Sequence, residues 1–196
     1  HQNKLLINGK FKDSHSQQTF DSINPATEEV IASVALADEQ DVDEAVRAAR
    51  KALEGHWGKM SARARAKCLF KWADLIEKNQ EELAMLEVLD NGKPINEAFG
   101  YDIPSTAATI RYFAGWADKI EGKTIPVDGD FFTYTRKEPV GVCGLIIPWN
   151  FPLAMAAWKL GPCLAAGCTA LLKPAEQTPL SVLRLGELSL EAGIPE

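Results

Sequence analysis

Val142-Cys-Gly-Leu-Ile-Ile-Pro-Trp-Asn-Phe-Pro152, with Thr169-Ala-Leu-Leu-Lys-Pro-Ala-Glu176 after it, decides the fold. Val142 to Ile147 is a nearly continuous apolar run bounded by Gly141 and Pro148, the pattern of a strand buried on both faces. Pro152 opens a segment that is apolar nearly all round through Ala154, Met155, Ala157, Trp158 and Leu160, which predicts a buried helix. Thr169 to Leu172 reads as a second strand, stopped at Lys173-Pro174. Thr178-Pro179 offers an N-cap and a first-turn proline, and Gly193 with Pro195 ends the helix they begin. Strand, helix, strand, helix with short connections predicts a parallel α/β sheet. Ligands in such sheets sit beyond the carboxyl ends of the strands, here Trp149-Asn150 and Lys173 to Glu176.

Working outward, Leu5-Leu6-Ile7 leads into Asn8-Gly9, a hairpin turn signal, and Lys10 to Gln18 reads as a polar surface loop. Asp21 to Pro25 reads as extended chain, and Val30 to Leu36 as a strand. Asp38 caps a helix whose apolar face is Val42, Ala45, Val46 and Ala49. Ser61 starts a longer helix with Leu69, Trp72, Ala73 and Ile76 on one face; Asn79 interrupts it, and Asn91-Gly92 with Pro94 stops its continuation. Pro104-Ser105 opens another, which ends near Gly122. Phe131 to Arg136 alternates Thr133 and Thr135 against Phe132 and Tyr134, a strand with two unlike faces that needs a partner.

The 196 residues, 46% hydrophobic, suffice for a sizeable core within single-domain size. A net charge of -6 and a pI near 5.2 argue against nucleic-acid and anionic-membrane partners. No apolar run spans a bilayer and no signal-peptide pattern opens the chain. The four cysteines (Cys68, Cys143, Cys163, Cys168) have neither disulfide density nor CxxC spacing, which predicts reduced thiols and a cytoplasmic protein. The chain opens on His1, so the mitochondrial matrix is the alternative if a leader has been removed.

Pro148-Trp-Asn-Phe-Pro152 with Lys173-Pro-Ala-Glu-Gln-Thr-Pro179 resembles the NAD(P)-dependent aldehyde dehydrogenase superfamily. Glu138-Pro-Val-Gly-Val-Cys-Gly144, Asn24-Pro-Ala-Thr27, Phe113-Ala-Gly-Trp-Ala-Asp-Lys119 and Thr124-Ile-Pro-Val-Asp128 extend the resemblance over nearly the whole chain. It is nearest to the branch that oxidises varied aliphatic, aromatic or retinoid aldehydes. The resemblance implies an incomplete aldehyde dehydrogenase fold, with a partial Rossmann-like parallel sheet, flanking helices and a β-hairpin oligomerisation arm. Residues 1–121 would be the amino-terminal part of the cofactor-binding domain, 122–140 the arm, and 141–196 the first βαβα of its core. The arm would join a neighbouring subunit's sheet in a dimer or tetramer, where an edge hairpin within one domain is the plainer reading.

Oxidising an aldehyde needs a nucleophile, because the carbonyl carbon must become tetrahedral before it can expel hydride; a thiolate does this and leaves a thioester to hydrolyse. Each donor aimed at the adduct's oxyanion contributes on the order of 3–4 kcal/mol. The resemblance gives that role to the Asn150 side-chain amide, although Asn before Phe151-Pro152 also suits an N-cap. It places the adenosine ribose on Lys173 and Glu176, which composition alone would make a surface ion pair. A carboxylate there repels a 2′-phosphate, favouring NAD, with NADP the alternative. The first strand-to-helix turn has no G-x-G-x-x-G, so the pyrophosphate is not held in the ordinary Rossmann manner. Ile146, Ile147, Pro148 and Trp149 are implied to line the cofactor cleft. Phe151, Met155 and Trp158 read equally as a core stripe or as the wall of an aldehyde tunnel. Ile23, Asp90 and Gln177 are implied to hold a monovalent cation, Asp90 otherwise being turn chemistry. No cysteine here matches the family's nucleophile, and the catalytic domain with its general base is absent from this sequence. The expectation is an amino-terminal portion that cannot turn over aldehyde alone; the alternative is a non-enzymatic, crystallin-like protein or a truncated NAD-binding or interaction module.

Overall fold

The computed structural model describes residues 2–196. Asn8 and Gly9 both adopt positive φ (51° and 69°), the requirement of a tight two-residue hairpin turn. They join β1 (Leu5–Ile7) to β2 (Lys10–Lys12) in antiparallel register, Ile7 opposite Lys10. The predicted loop after Gly9 therefore begins as a strand, because this turn aligns the next three residues with β1. β3 (Thr19–Ile23) and β4 (Val30–Ala35) form a second antiparallel pair with a register shift at Ser22/Ile23.

Helix α1 (Glu39–Glu54) starts at a capping box in which Asp38 and Asp41 each accept from the other's backbone. Asp41 does more than suit the helix dipole. Buried, it also accepts from Ser14 Oγ (2.7 Å) and the His15 amide (3.1 Å), anchoring the loop before β3. A short α2 (His56–Lys59) leads to α3 (Ala62–Lys78), capped by the Ser61 hydroxyl on the Ala64 amide. α4 (Gln80–Asn91) ends at Gly92, φ 79°, the left-handed stop that glycine adopts without strain. A single turn α5 (Ile95–Glu97) runs through a π-turn, Ala98–Asp102, into α6 (Ile103–Trp116). Pro104 falls in the first turn of α6, where a proline has no intrahelical partner to lose, although the π-turn already leads the chain into that helix.

β5 (Thr124–Ile125) and β6 (Thr133–Tyr134) pair as a minimal hairpin, shorter than the predicted Phe131–Arg136 strand. Phe131 (78% accessible) and Val140 (86%) stand in solvent. β7 (Val142–Ile146), α7 (Pro152–Ala165), β8 (Thr169–Lys173) and α8 (Leu180–Ala192) complete the chain. β7 and β8 are parallel and in register from Val142↔Thr169 to Ile146↔Lys173. β7 is not buried on both faces: Ile146 is 71% accessible and lines an open groove.

One core joins Leu69, Trp72 and Ile76 of α3, Ile103 and Ile110 of α6, Leu153 and Ala157 of α7, and Leu185 and Leu188 of α8. Its two buried indoles are satisfied by carbonyls, Trp72 by Leu185 (3.2 Å) and Trp57 by Cys168 (2.9 Å). Beside it lies a buried ionic knot: Lys93 Nζ donates to Glu87 Oε1 (3.0 Å) and to Asp102 Oδ2. Burial is the main cause raising the Glu87 carboxyl, with Lys93 opposing it. Removing one partner of a buried ion pair typically costs about 3–5 kcal/mol, because the other charge is left unpaired. Lys93→Met is expected to lower stability by that amount, read as a lower urea midpoint at unchanged slope. A loss under about 1 kcal/mol would show that the knot contributes little.

Candidate functional site

The ladder between β7 and β8 continues one bond past the strands, from the Ile147 amide to the Lys173 carbonyl (3.2 Å). Pro148-Trp149-Asn150 and Pro174 to Glu176 therefore leave the sheet from adjacent strand ends. Two donors then hold the first of these loops by one carbonyl: Asn91 Nδ2 (2.7 Å) and Thr178 Oγ1 (3.3 Å) both reach Trp149 O. Thr178 is thus occupied away from the expected helix cap. The Asp90 carboxylate caps α8 in its place, accepting from the Leu180 amide at 2.9 Å.

Asn150 is exposed, and among the described residues its side chain makes no hydrogen bond. Phe151 occupies the N-cap position of α7, and no side chain caps that helix. The capping role open to Asn150 is not used, which leaves its amide available to a ligand. Lys93 Nζ lies 4.5 Å from the Phe151 ring centroid, a cation–π contact linking the buried knot to this loop.

Lys173 and Glu176 pair across 3.4 Å, each more than half exposed, and Lys173 Nζ also donates to Pro174 O (3.1 Å). With Ile146 they line a mainly apolar groove of about 640 Å³ that runs beneath α1 and α8. Glu176 also borders a second cleft of about 850 Å³ with Trp149, Ile23, Asp90 and Gln177. Asn150 belongs to the wall of neither. Pro148 is exposed, whereas Ile147 turns into the core at 4% accessibility and reaches the strand ends only through its backbone. The three cation candidates share the second cleft, and Asp90 Oδ1 there is buried without a partner. Burial pushes the Asp90 carboxyl up to about 7.

The core face of α7 is Leu153, Ala156, Ala157 and Leu164, while Phe151 and Trp158 are exposed and Met155 is half-buried. Phe151 and Trp158 therefore lie outside the core, while Met155 packs partly buried against it. Burial raises the Cys68, Cys143 and Cys163 thiols, Cys163 most, so none of the three is a ready thiolate. Sequence reasoning missed the positioning roles of Asn91, Thr178, Lys93 and Asp102. Asn91-Gly92 signals a helix end, but nothing local says which distant carbonyl the amide will reach.

A parallel β-α-β-α unit with exposed polar residues just past its strand ends defines a Rossmann-like α/β protein. The aldehyde dehydrogenase family profile matches residues 11–196, and the chain belongs to that family. It is 56% identical over 193 residues to aldehyde dehydrogenase family 2 member B4, mitochondrial, of Arabidopsis thaliana, covering 98% of this chain and 36% of the relative. It is 54% identical over 195 residues to the mitochondrial aldehyde dehydrogenase of Homo sapiens, covering 98% of this chain and 38% of the relative. An NAD+ complex of aldehyde dehydrogenase from Bacillus cereus superposes with a TM-score of 0.97 at 55% identity, covering 100% of this chain and 40% of that one. The chain thus spans about two fifths of the length of these relatives.

The Asp90 carboxyl generates a pH prediction. Its folded pKa lies above the usual 3.8, so its contribution to stability is fully present below about pH 4 and is lost as pH rises through about 7. Asp90→Asn keeps an oxygen acceptor for Leu180 and cannot ionise. The variant is expected to lack this decline and to exceed wild type at pH 8 by on the order of 2–4 kcal/mol. Urea unfolding from pH 4 to pH 8 measures it; parallel profiles for the two proteins would refute it.

Proposed function

We propose that this chain is the amino-terminal portion of an enzyme that oxidises aldehydes to carboxylic acids with NAD(P)+ through a thiohemiacetal and a thioester. Support comes from one observation above the rest: adjacent parallel strands end at an exposed, unbonded Asn150 and an exposed Lys173–Glu176 pair, in a chain of the aldehyde dehydrogenase family.

Asn150 donates its amide NH2 to the oxyanion of the tetrahedral adduct. Asn91 and Thr178 hold the loop that carries it by the Trp149 carbonyl, so the donor is positioned before reaction, as oxyanion stabilisation requires. Lys173 and Glu176 grip the adenosine ribose, and the Glu176 carboxylate disfavours a 2′-phosphate, giving NAD preference over NADP. Ile146, Pro148 and Trp149 offer exposed apolar surface to the dinucleotide; Ile147 contributes only backbone. When bound, the nicotinamide accepts the hydride. Phe151, Met155 and Trp158 form one wall of the aldehyde tunnel, supported by the exposure of two of the three.

Ile23, Asp90 and Gln177 fit a monovalent cation, since the unpartnered Asp90 Oδ1 in their cleft lacks a positive partner. The exposed hairpin with Phe131, Phe132 and Tyr134 serves as an arm to a neighbouring subunit in a dimer or tetramer. Because burial raises the Cys68, Cys143 and Cys163 thiols and Cys168 clusters with two of them at the far end of the sheet, the isolated chain turns over no aldehyde.

In the full-length enzyme, Asn150→Ala is expected to lower kcat about 100- to 1,000-fold with NAD affinity unchanged. A matching loss of NAD affinity, or a change under about three-fold, would remove Asn150 from the chemistry. Glu176→Gln is expected to narrow the preference for NAD over NADP, measured by titrating both coenzymes; wild type binding both equally would dispose of the preference. Steady NADH production by the 196-residue chain alone would contradict its assignment as a non-catalytic portion.

A further inference from the structure

Three of the four cysteines meet at the opposite end of the sheet from Asn150. Cys143 is the second residue of β7, Cys163 lies in the last turn of α7, and Cys168 immediately precedes β8. Their Sγ atoms all lie within 4.8 Å of one another. Backbone geometry brings them there. Gly167 takes a positive φ of 92°, which turns the chain sharply enough for the Cys168 amide to donate to Cys163 O at 3.1 Å. The Trp57 indole holds the Cys168 carbonyl at 2.9 Å, and the β7–β8 register sets Cys143 opposite Ala170.

We propose that Cys143, Cys163 and Cys168 bind one thiophilic monovalent ion of the Cu(I) class as three thiolates. Three equal metal–sulfur bonds of about 2.3 Å in a plane place the sulfurs about 4 Å apart, within the observed envelope. No His, Asp or Glu joins the group among the described residues, and an all-sulfur set selects soft ions over hard ones. With three protein donors the set is one short of the closed tetrahedron of structural zinc, which favours Cu(I). The present thiol contacts are loose, Cys143 Sγ to Gly141 O at 4.0 Å and Cys163 Sγ to Thr169 O at 3.8 Å, so no strong hydrogen bond ties up the sulfurs; burial holds their protons on, and metal binding must displace them.

Arg65 is the second observation. Its Nε is buried with no acceptor, and its Nη2 donates weakly to Ala165 O (3.4 Å), between Cys163 and Cys168 in sequence. Three thiolates and one Cu(I) carry a net charge of -2, which the Arg65 guanidinium, whose charge interacts with Cys168, partly offsets. Cys143 and Cys163 are partly exposed while Cys168 is buried, giving an ion a way in. Binding forms three metal–sulfur bonds, breaks three S–H bonds and releases three protons, with no change of oxidation state.

The test is anaerobic titration of the reduced 196-residue chain with Cu(I), in competition with a Cu(I) chelator such as bicinchoninate. One equivalent is expected, with a thiolate-to-copper ultraviolet band. Cys143→Ser, Cys163→Ala and Cys168→Ser should each weaken binding by more than about 100-fold, since loss of even an outer-shell partner costs about 10- to 100-fold. Cys68→Ser, whose thiol instead faces Gly193 O, should leave it unchanged. Circular dichroism checks that each variant folds, and X-ray absorption of the loaded wild type should count three sulfurs around copper. Fewer than three sulfurs, no uptake against the chelator, wild-type affinity in Cys163→Ala, or dependence on Cys68 would each overturn the site and leave three thiols that merely pack the core.

Discussion

The bond between the Ile147 amide and the Lys173 carbonyl is the constraint on which the remaining geometry depends. It closes the parallel ladder at the point where both strands end, so two loops that are far apart in sequence leave the sheet side by side. A parallel pair has no local turn to enforce its register. Here α7 supplies the crossover, and its packing against α3, α6 and α8 holds that crossover down. A slip of one residue between β7 and β8 would exchange their faces, removing Ile147 from the core and parting Asn150 from the Lys173–Glu176 pair.

The end of α4 secures what the ladder sets up. Asp90, Asn91 and Lys93 lie within four residues, yet they reach the α8 amino terminus, the Trp149 carbonyl and the Glu87–Asp102 pair respectively. Lys93 further approaches the Phe151 ring. A helix end thereby determines where α8 starts and how the Asn150 loop sits, without touching Asn150 itself. The Lys93–Glu87–Asp102 part of this hub is costly to disturb, because its side chains are buried and each holds a partner that would otherwise be orphaned. Asp90 is the strained member, with one oxygen capping α8 and the other unpaired.

The two ends of the β7–β8 sheet differ in kind. The carboxyl end carries exposed polar groups on loops held by long-range hydrogen bonds, suited to a large charged ligand. At the amino end, sulfur is gathered on a strand, a helix terminus and a tight turn, all rigid elements. The hairpin between α6 and β7 belongs to neither end. Tyr134 on β6 and Phe131 and Phe132 just before it stand in solvent, an apolar surface that covering would stabilise.

The local rules of the chain were decisive wherever one residue type has one conformation to offer. Asn8-Gly9 dictated the first hairpin, Asp38 and Ser61 the helix starts, Gly92 and Gly193 the stops, and the apolar runs at Val142 and Thr169 the parallel strands. Family likeness in Pro148–Pro152 and Lys173–Pro179 marked the strand ends as the candidate site. Tertiary structure alone decided which partner each polar side chain found. Thr178 went to Trp149 instead of capping its own helix, Asp90 capped that helix from α4, Ile147 turned inward, and Phe151 and Trp158 stayed outside the core. Three cysteines at separations of 20 and 5 residues became one cluster. Conformational preferences are local and repeat with the backbone period, so a sequence displays them. Hydrogen bonds and sulfur contacts across long separations depend on how whole elements pack, and no short stretch of chain encodes that.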